Sequence, residues 1–375
     1  MLLIKATTHT LKYFIRLRTF RLLFWKSETS RHLWYGVQIA DDPASPGTLW
    51  SIAQSEEELT AIFRLFDTAE VSVFLFNEER LNVASARIKV RFTEPERIGI
   101  IADAKPAPDG ASKLSHGFID SLLAPGSSVK LLEANPAGSC EWIEVQSKLI
   151  TQRLTQCELS MITGEEGDQQ ELLAEWLVDA LGGPAAVRNP LVYEQQGPRE
   201  LSDLLLSYEY GCFLLESKAL AIIARDLMPD RATLRRNVLK QVNTAVSQLT
   251  GACANIRRGL RVADKEGRDL VLTRDQPIHC MVLVPDLSLI GDCDILVPKL
   301  TLSILKKAKG FLNLLDPIEL RRLVHNAGFM AMNSKALTPI MAFDGILLKR
   351  CELAGKQTTA DFRFSMTLGN PNSSH

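Results

Sequence analysis

The chain has no C-x-x-C pair, and its seven cysteines (Cys140, Cys157, Cys212, Cys253, Cys280, Cys293 and Cys351) are scattered and odd in number. That usage argues against a zinc ribbon or a disulfide framework and fits reduced, buried thiols in a cytoplasmic protein. No apolar run reaches the roughly 18 residues that a membrane span requires. The six histidines are isolated, so none makes a metal-ligand spacing with another His or a Cys. No glycine-rich phosphate loop, dinucleotide fingerprint, Ser or Cys nucleophile motif or internal repeat stands out. Their absence argues against P-loop, Rossmann, triad-hydrolase and solenoid architectures. Bulk charge is also lacking. The net charge is −1 in 375 residues, with 46% hydrophobic and 23% charged residues, so composition favours an ordinary globular protein and selects no partner. The length predicts two or three domains.

What is present is unevenly distributed. Residues 1–27 carry Lys5, Lys12, Arg16, Arg18, Arg21 and Lys26 and no acid, interleaved with Tyr13, Phe14, Leu17, Phe20 and Trp25. A basic amphipathic helix that touches a membrane surface or nucleic acid is one outcome. The favoured one is a basic extension, residues 1–30, outside the fold. Residues 31–162 read as an α+β domain of unknown role. Strands are expected at 71–76, 86–92, 98–102 and 140–145, a helix at 56–66, and loops at 41–47 and 105–110. No catalytic cluster is apparent there.

The most informative stretch is RELSDLLLSYEYGCFLLESKAL, residues 199–220. Two apolar runs, Leu204-Leu205-Leu206 and Cys212-Phe213-Leu214-Leu215, flank a turn that contains Gly211, which predicts a hairpin covered on both faces. Three charges interrupt it: Asp203, Glu216 and Lys218. A buried charge is costly unless it is paired or bound to a metal. A two-residue loop at Glu209-Tyr210 pairs Tyr208 with Gly211 and sets Asp203 opposite Glu216. Like charges there repel, and a divalent cation would convert repulsion into ligation. A three-residue loop shifts the register and turns Asp203 to the other face. The apolar runs do not decide between the two.

Upstream, 168–181 predicts a helix with Glu171 and Glu175 one turn apart, stopped by Gly182-Gly183-Pro184. Downstream, 232–256 predicts a long helix, with Gln241 and Gln248 on one edge of its buried stripe. Between Ser217 and Val262 the basic residues Lys218, Arg225, Arg231, Arg235, Arg236, Lys240, Arg257, Arg258 and Arg261 face only Asp226 and Asp230. Such a block beside carboxylates suits a phosphate backbone. Further strands are expected at 269–273, 278–285, 346–351 and 359–364, and helices at 298–314 and 316–326.

Asp203 followed by Glu216-Ser217-Lys218 on the next strand resembles the PD-(D/E)XK nuclease superfamily, nearest to its nuclease-related and Holliday-junction-resolvase-like branch. The resemblance covers roughly residues 165–300. It implies an acidic helix, an Asp strand, a Glu-x-Lys strand and a polar or basic helix, in that order. It departs at Ser202, where the pattern has proline. The resemblance implies an α/β fold, a mixed central sheet flanked by helices (restriction-endonuclease-like), behind the separate N-terminal α+β domain. The expected organisation is a nuclease-like domain at 163–300, C-terminal helices and strands at 301–368 packing on it, and a disordered tail at 369–375. It further implies Mg²⁺ or Mn²⁺ held by Asp203, Glu216 and Glu171, with Glu175 as the alternative helix acid. Lys218 and Gln248 complete the catalytic set. The expected partner is nucleic acid, met by Arg231, Arg235, Arg236, Lys240, Arg257 and Arg258. Two alternatives stand beside metal-dependent phosphodiester hydrolysis. One is an inactive nuclease-like binding protein. The other is a structural or interaction protein in which the trio is a strand-end salt bridge.

Overall fold

A computed structural model describes residues 1–42, 46–108, 110–111, 131–152, 156–182, 186–223, 229–276, 278–290, 296–354 and 356. The chain forms a mixed α/β structure in two compact units. Unit 1 comprises Met1–Val145 with Ile222–Asp230; unit 2 comprises Gln146–Ala221 with Arg231–His375. The division at Val145 precedes the expected boundary between 162 and 163, near which the structure starts a helix with Glu165 as its N-cap.

Unit 1 contains β1 (Leu2–Lys5), α1 (Thr8–Leu17), β2 (Arg21–Lys26), β3 (Leu33–Ile39), β4 (Gly47–Ile52), α2 (Glu56–Thr68), β5 (Glu70–Phe76), β6 (Asn82–Phe92), β7 (Leu132–Pro136) and β8 (Ile143–Glu144). Its sheet runs β1-β5-β6-β7-β2-β3-β4, with β8 on β6. Residues 1–27 are therefore no extension. β1 pairs in parallel with β5, β2 lies between β7 and β3, and α1 buries Leu11, Tyr13, Phe14 and Ile15. The interleaved apolar residues supply the core, while Lys5, Arg16, Arg18 and Arg21 stay exposed. The expected strand at 98–102 is a 3-10 turn, Pro95–Ile101, opened by a proline whose fixed φ suits a first helical position. A short apolar run does not distinguish the two.

Unit 2 opens with the hairpin β9 (Ser147–Ile150) and β10 (Gln156–Leu159), then α3 (Glu166–Asp179). Next come β11 (Val187–Arg188), β12 (Leu191–Glu194), β13 (Gly197–Glu200), β14 (Leu204–Tyr208), β15 (Gly211–Ser217), α4 (Arg231–Arg257) and β16 (Val262–Ala263). It closes with β17 (Ile278–Leu283), α5 (Leu296–Ala308), β18 (Gly310–Leu315), α6 (Pro317–Met332) and α7 (Pro339–Ala354). The main sheet has the order β11-β14-β15-β17-β18, and β12, β13 and β16 form a small second sheet. β14 and β15 are antiparallel; β17 and β18 join in parallel after the helical crossovers α4 and α5 that parallel pairing demands. Every residue of β17 is buried, as expected of a strand covered on both faces. α4 packs on β15 and β17, and α7 on β17 and β18.

Three expectations in this unit are corrected. The helix over 298–314 ends at Ala308; Lys309 takes a left-handed φ of 49° and Gly310–Leu315 becomes β18. A Cβ on Gly310 would lie 3.2 Å from Cys280 Sγ, the Ile278 carbonyl and Ile304, so a glycine lets β18 close on β17. Residues 346–351 are helical, inside α7. The stretch 269–273 makes only an isolated bridge between Ala263 and Asp269. Residues 359–364 and 369–375, and Arg225 and Asp226, lie outside the described residues. The six cysteines described are free thiols.

One polar network ties α7 to the sheet. Asp344 accepts from the Tyr208 hydroxyl and lies 2.5 Å from His279 Nε2, with His279 stacked on Phe213. The Tyr208 hydroxyl is held well above its usual range, first by burial and then by its bond to Asp344.

Candidate active site

Hairpin pairing decides the geometry. Tyr208 faces Gly211 and Leu204 faces Leu215, so the loop is the two residues Glu209-Tyr210 and Asp203 stands opposite Glu216. Asp203 is 9% exposed and Glu216 2%. Lys218 follows two residues after Glu216, on the same face, and its Nζ lies 2.7 Å from Glu216 Oε2 and 4.0 Å from Asp203 Oδ2. The Ser217 amide also donates to Asp203 Oδ2. The three residues singled out from sequence thus converge. Ser202, at the proline position, is buried and donates to the Leu204 carbonyl.

The strand end is fixed from two sides. Leu283, the last residue of β17, accepts from the Lys218 amide at 2.8 Å and from the Gln170 side chain of α3 at 3.2 Å. This brings α3 to the trio. Glu171 and Glu175 both lie on α3, and Arg188 of β11 reaches them at 3.3 and 3.8 Å.

Electrostatics link a fifth acid that motif spacing did not reveal. Glu200, the last residue of β13, is exposed at the rim, yet its carboxyl is held above the usual range by desolvation, by the charge of Asp203 and by a hydrogen bond with Asp203. Burial, and then the charge of Asp203, raise Glu171 against the pull of Arg188. Glu216 is pushed up to about 7, chiefly by desolvation and then by Asp203, with Lys218 opposing. Around Asp203, therefore, Glu171, Glu200 and Glu216 meet the cations Arg188, Lys218 and Lys265, and Arg188 is shared with Glu175. Among the described residues these five carboxylates face three cations, and each of the three acids coupled to Asp203 is shifted toward its neutral form.

Gln248 does not join this group. It is exposed on α4, and among the described residues no interaction connects it to the trio. Gln241, two turns earlier, donates to the Ala219 carbonyl at 3.4 Å, one residue past Lys218, and its own Oε1 is buried without a partner.

The basic block divides. Arg231, Arg235, Arg236 and Lys240 are exposed on the first turns of α4. Arg257 lies 17 residues beyond Lys240, about 25 Å along a helix. Its guanidinium donates to the carbonyls of Ala308 and Lys309 at 3.1 Å each and to that of Arg274, closing the C-terminus of α5. That removes Arg257 from the expected phosphate contacts. Arg258 donates to Asn255, and Arg261 bonds Asp269 while lying 4.2 Å over the Tyr193 ring.

The donors at the hairpin end are oxygens of acids, the chemistry a hard divalent cation prefers. Among the described residues no three His, Cys, Asp or Glu side chains converge as a closed ligand set. Mg²⁺ suits the two carboxylates at the hairpin end, because it is commonly bound through one or two carboxylates plus water and phosphate oxygens. No family model matches the chain, and neither a curated protein nor a solved structure does. No helix among the described residues is long and apolar enough to cross a membrane.

Proposed function

We propose that this protein is a metal-dependent nuclease that hydrolyses phosphodiester bonds in nucleic acid, and that unit 2 has a restriction-endonuclease-like core of the PD-(D/E)XK kind. The observation that carries it is the opposition of two buried carboxylates, Asp203 and Glu216, in a group where acids outnumber cations. A structural salt bridge has no need of surplus negative charge. The order α3, β14, β15, α4 also supports it, being the order the resemblance implies.

Asp203 and Glu216 would hold Mg²⁺ or Mn²⁺, with Glu171 joining once released from Arg188. The bound ion would acidify a water and offset charge on the phosphate oxygens. Lys218, held between the two acids, would exchange Glu216 for the attacking water or a phosphate oxygen. Glu200 adds negative charge beside Glu216 from the rim. The exposed Arg231, Arg235, Arg236 and Lys240 would meet the phosphate backbone.

A second reading is favoured by the 2.7 Å Lys218–Glu216 pair, which by itself is a satisfied strand-end ion pair in a non-catalytic protein. Incubation of the purified chain with labelled single- and double-stranded DNA and RNA, in Mg²⁺ and then in EDTA, separates the two. Metal-dependent cleavage is expected, reduced at least about 100-fold in Lys218→Met. Cleavage that persists unchanged in Lys218→Met would reject the assignment.

A further inference from the structure

A cluster of carboxylates that draws a metal ion also repels a polyanionic strand, so the cations around it decide how a substrate can approach. Around Asp203 those cations are Arg188, Lys218 and Lys265. Arg188 is partly buried and held by Glu171 at 3.3 Å and Glu175 at 3.8 Å. Lys218 is partly buried and held by Glu216 at 2.7 Å. Lys265 alone is exposed, and among the described residues no acid forms an ion pair with it.

Strand pairing brings Lys265 to this group. Leu191 of β12 pairs with Glu200 of β13 on one side and with Ala263 of β16 on the other. β13 and β16 are both antiparallel to β12, so they leave the small sheet at the same end, two strand spacings or about 10 Å apart. From Glu200 the chain runs on to Asp203; from Ala263 it runs into the turn that carries Lys265. That turn is closed on itself. Gly267, at a left-handed φ of 82°, donates its amide to the Asp264 carbonyl at 3.0 Å, and Asp264 Oδ1 accepts from the Arg268 amide at 2.8 Å. The bridge between Ala263 and Asp269 closes its base. Its other cations are answered nearby: Arg268 by Asp264 at 2.5 Å and Glu266 at 2.9 Å, and Arg261 by Asp269 at 2.6 Å. The charge of Lys265 acts on the Glu200 carboxyl, against the desolvation and the Asp203 charge that hold it above the usual range.

We propose that Lys265 binds a backbone phosphate of the nucleic acid beside the one that is cleaved, so that the strand is held across the carboxylates between the turn after β16 and the start of α4. This deepens the phosphodiester-hydrolysis reading of the site and rests on it. α4 approaches the trio from the β15 side, where Gln241 meets the Ala219 carbonyl; Lys265 approaches from Glu200, ahead of β14. A lysine suits the role, because its ammonium is a point charge on a flexible stem and meets a phosphate oxygen without a fixed geometry. Such a contact sets the register of the strand over the metal and reads no base.

The test compares the full-length wild type with Lys265→Ala and Lys265→Arg, substitutions at an exposed position that leave the fold intact. Anisotropy titrations with labelled single- and double-stranded DNA and RNA oligonucleotides, in Ca²⁺ over a series of salt concentrations, read binding. Single-turnover cleavage in Mg²⁺ reads the chemistry. Lys265→Ala is expected to weaken binding about fivefold and to flatten the slope of log affinity against log salt by about one, the mark of one lost phosphate contact. The loss should fall on the half-saturation constant more than on the maximal cleavage rate, and Lys265→Arg should restore it. A neutral methylphosphonate at the contacted linkage should weaken the wild type and cost Lys265→Ala nothing further at that position. Wild-type affinity and salt slope in Lys265→Ala, or equal methylphosphonate penalties in both proteins at every position, would overturn the contact. A wild type that binds none of the oligonucleotides would overturn the contact and the nuclease assignment together. Binding that depends on Lys265, with no Mg²⁺-dependent cleavage, would overturn hydrolysis alone and leave the phosphate contact standing.

Discussion

Replacement of Glu216 by Gln is expected to end metal-dependent cleavage and, in EDTA, to leave the protein more stable than wild type at pH 8. The two effects have one origin. The Glu216 carboxyl is pushed up to about 7 in the folded chain from an ordinary value of 4.5. The folded state therefore binds its proton more tightly than the unfolded state does. The stability this group contributes is fully present below pH 4.5 and is lost as the pH rises through about 7. A shift of that size corresponds to about 3 kcal/mol, and the buried side chain has little solvent to screen it. Glutamine does not titrate, so the variant keeps what the wild type loses. Glu171 and Glu200 are shifted in the same direction and add to the slope in both proteins. Urea unfolding of both at pH 4.5 and pH 8 in EDTA is expected to show the variant gaining 2–3 kcal/mol on the wild type across that interval, an order-of-magnitude figure of about one proton's linkage. A variant equally destabilised at both pH values would identify the Lys218–Glu216 contact as an ordinary stabilising ion pair.

Arg350→Met is expected to cost about 3–5 kcal/mol and lower Tm by roughly 10 °C. Arg350 of α7 is 2% exposed and Glu319 of α6 is fully buried, with Nε 3.3 Å from Oε1. Arg322, half-exposed, lies farther from Glu319, at 3.7 Å. Removing the guanidinium takes a buried ion-pair partner from a carboxylate in the core, and charged groups desolvated this far lose much when a partner goes. The consequence reaches the site because α6 packs on α3, the helix of Glu171 and Gln170. Joint replacement, Glu319→Leu with Arg350→Met, should recover most of the loss, since an apolar pair of similar volume needs no compensation. Thermal unfolding of the three proteins measures this. A single-variant loss below about 1 kcal/mol would show that the pair is dispensable.

Much of unit 2 was legible in the sequence because its elements announce themselves chemically. Asp316-Pro317 marks the start of α6, and the Asp316 side chain does accept from the Glu319 amide. Gly211 and the flanking apolar runs mark the hairpin. Its register was not legible, because strands covered on both faces lack the alternation that pins one. β18 was hidden for the same reason: Gly310–Leu315 is an apolar run that continues the pattern of α5, and only the left-handed turn at Lys309 separates them. Glu200 escaped because β13 belongs to another sheet. The turn that brings it to Asp203 is held by the Leu201 amide on the Pro190 carbonyl, a contact no motif spacing encodes. Arg257 was misassigned because a count of charges does not show that a guanidinium closes the carbonyl end of a neighbouring helix. The basic residues of 1–27 drew attention from the apolar ones between them, which form the core.

The central claim is that Asp203 and Glu216 together constitute a divalent-cation site. Calorimetric titration of Mn²⁺ into the wild type, Asp203→Asn and Glu216→Gln at pH 8, with and without a bound oligonucleotide, tests it most directly. The account predicts saturable binding in the wild type, tightened by the oligonucleotide and lost in both variants, with protons released as the pH is lowered toward 7. Unchanged Mn²⁺ affinity in either variant, or no binding by the wild type even with oligonucleotide present, would contradict it.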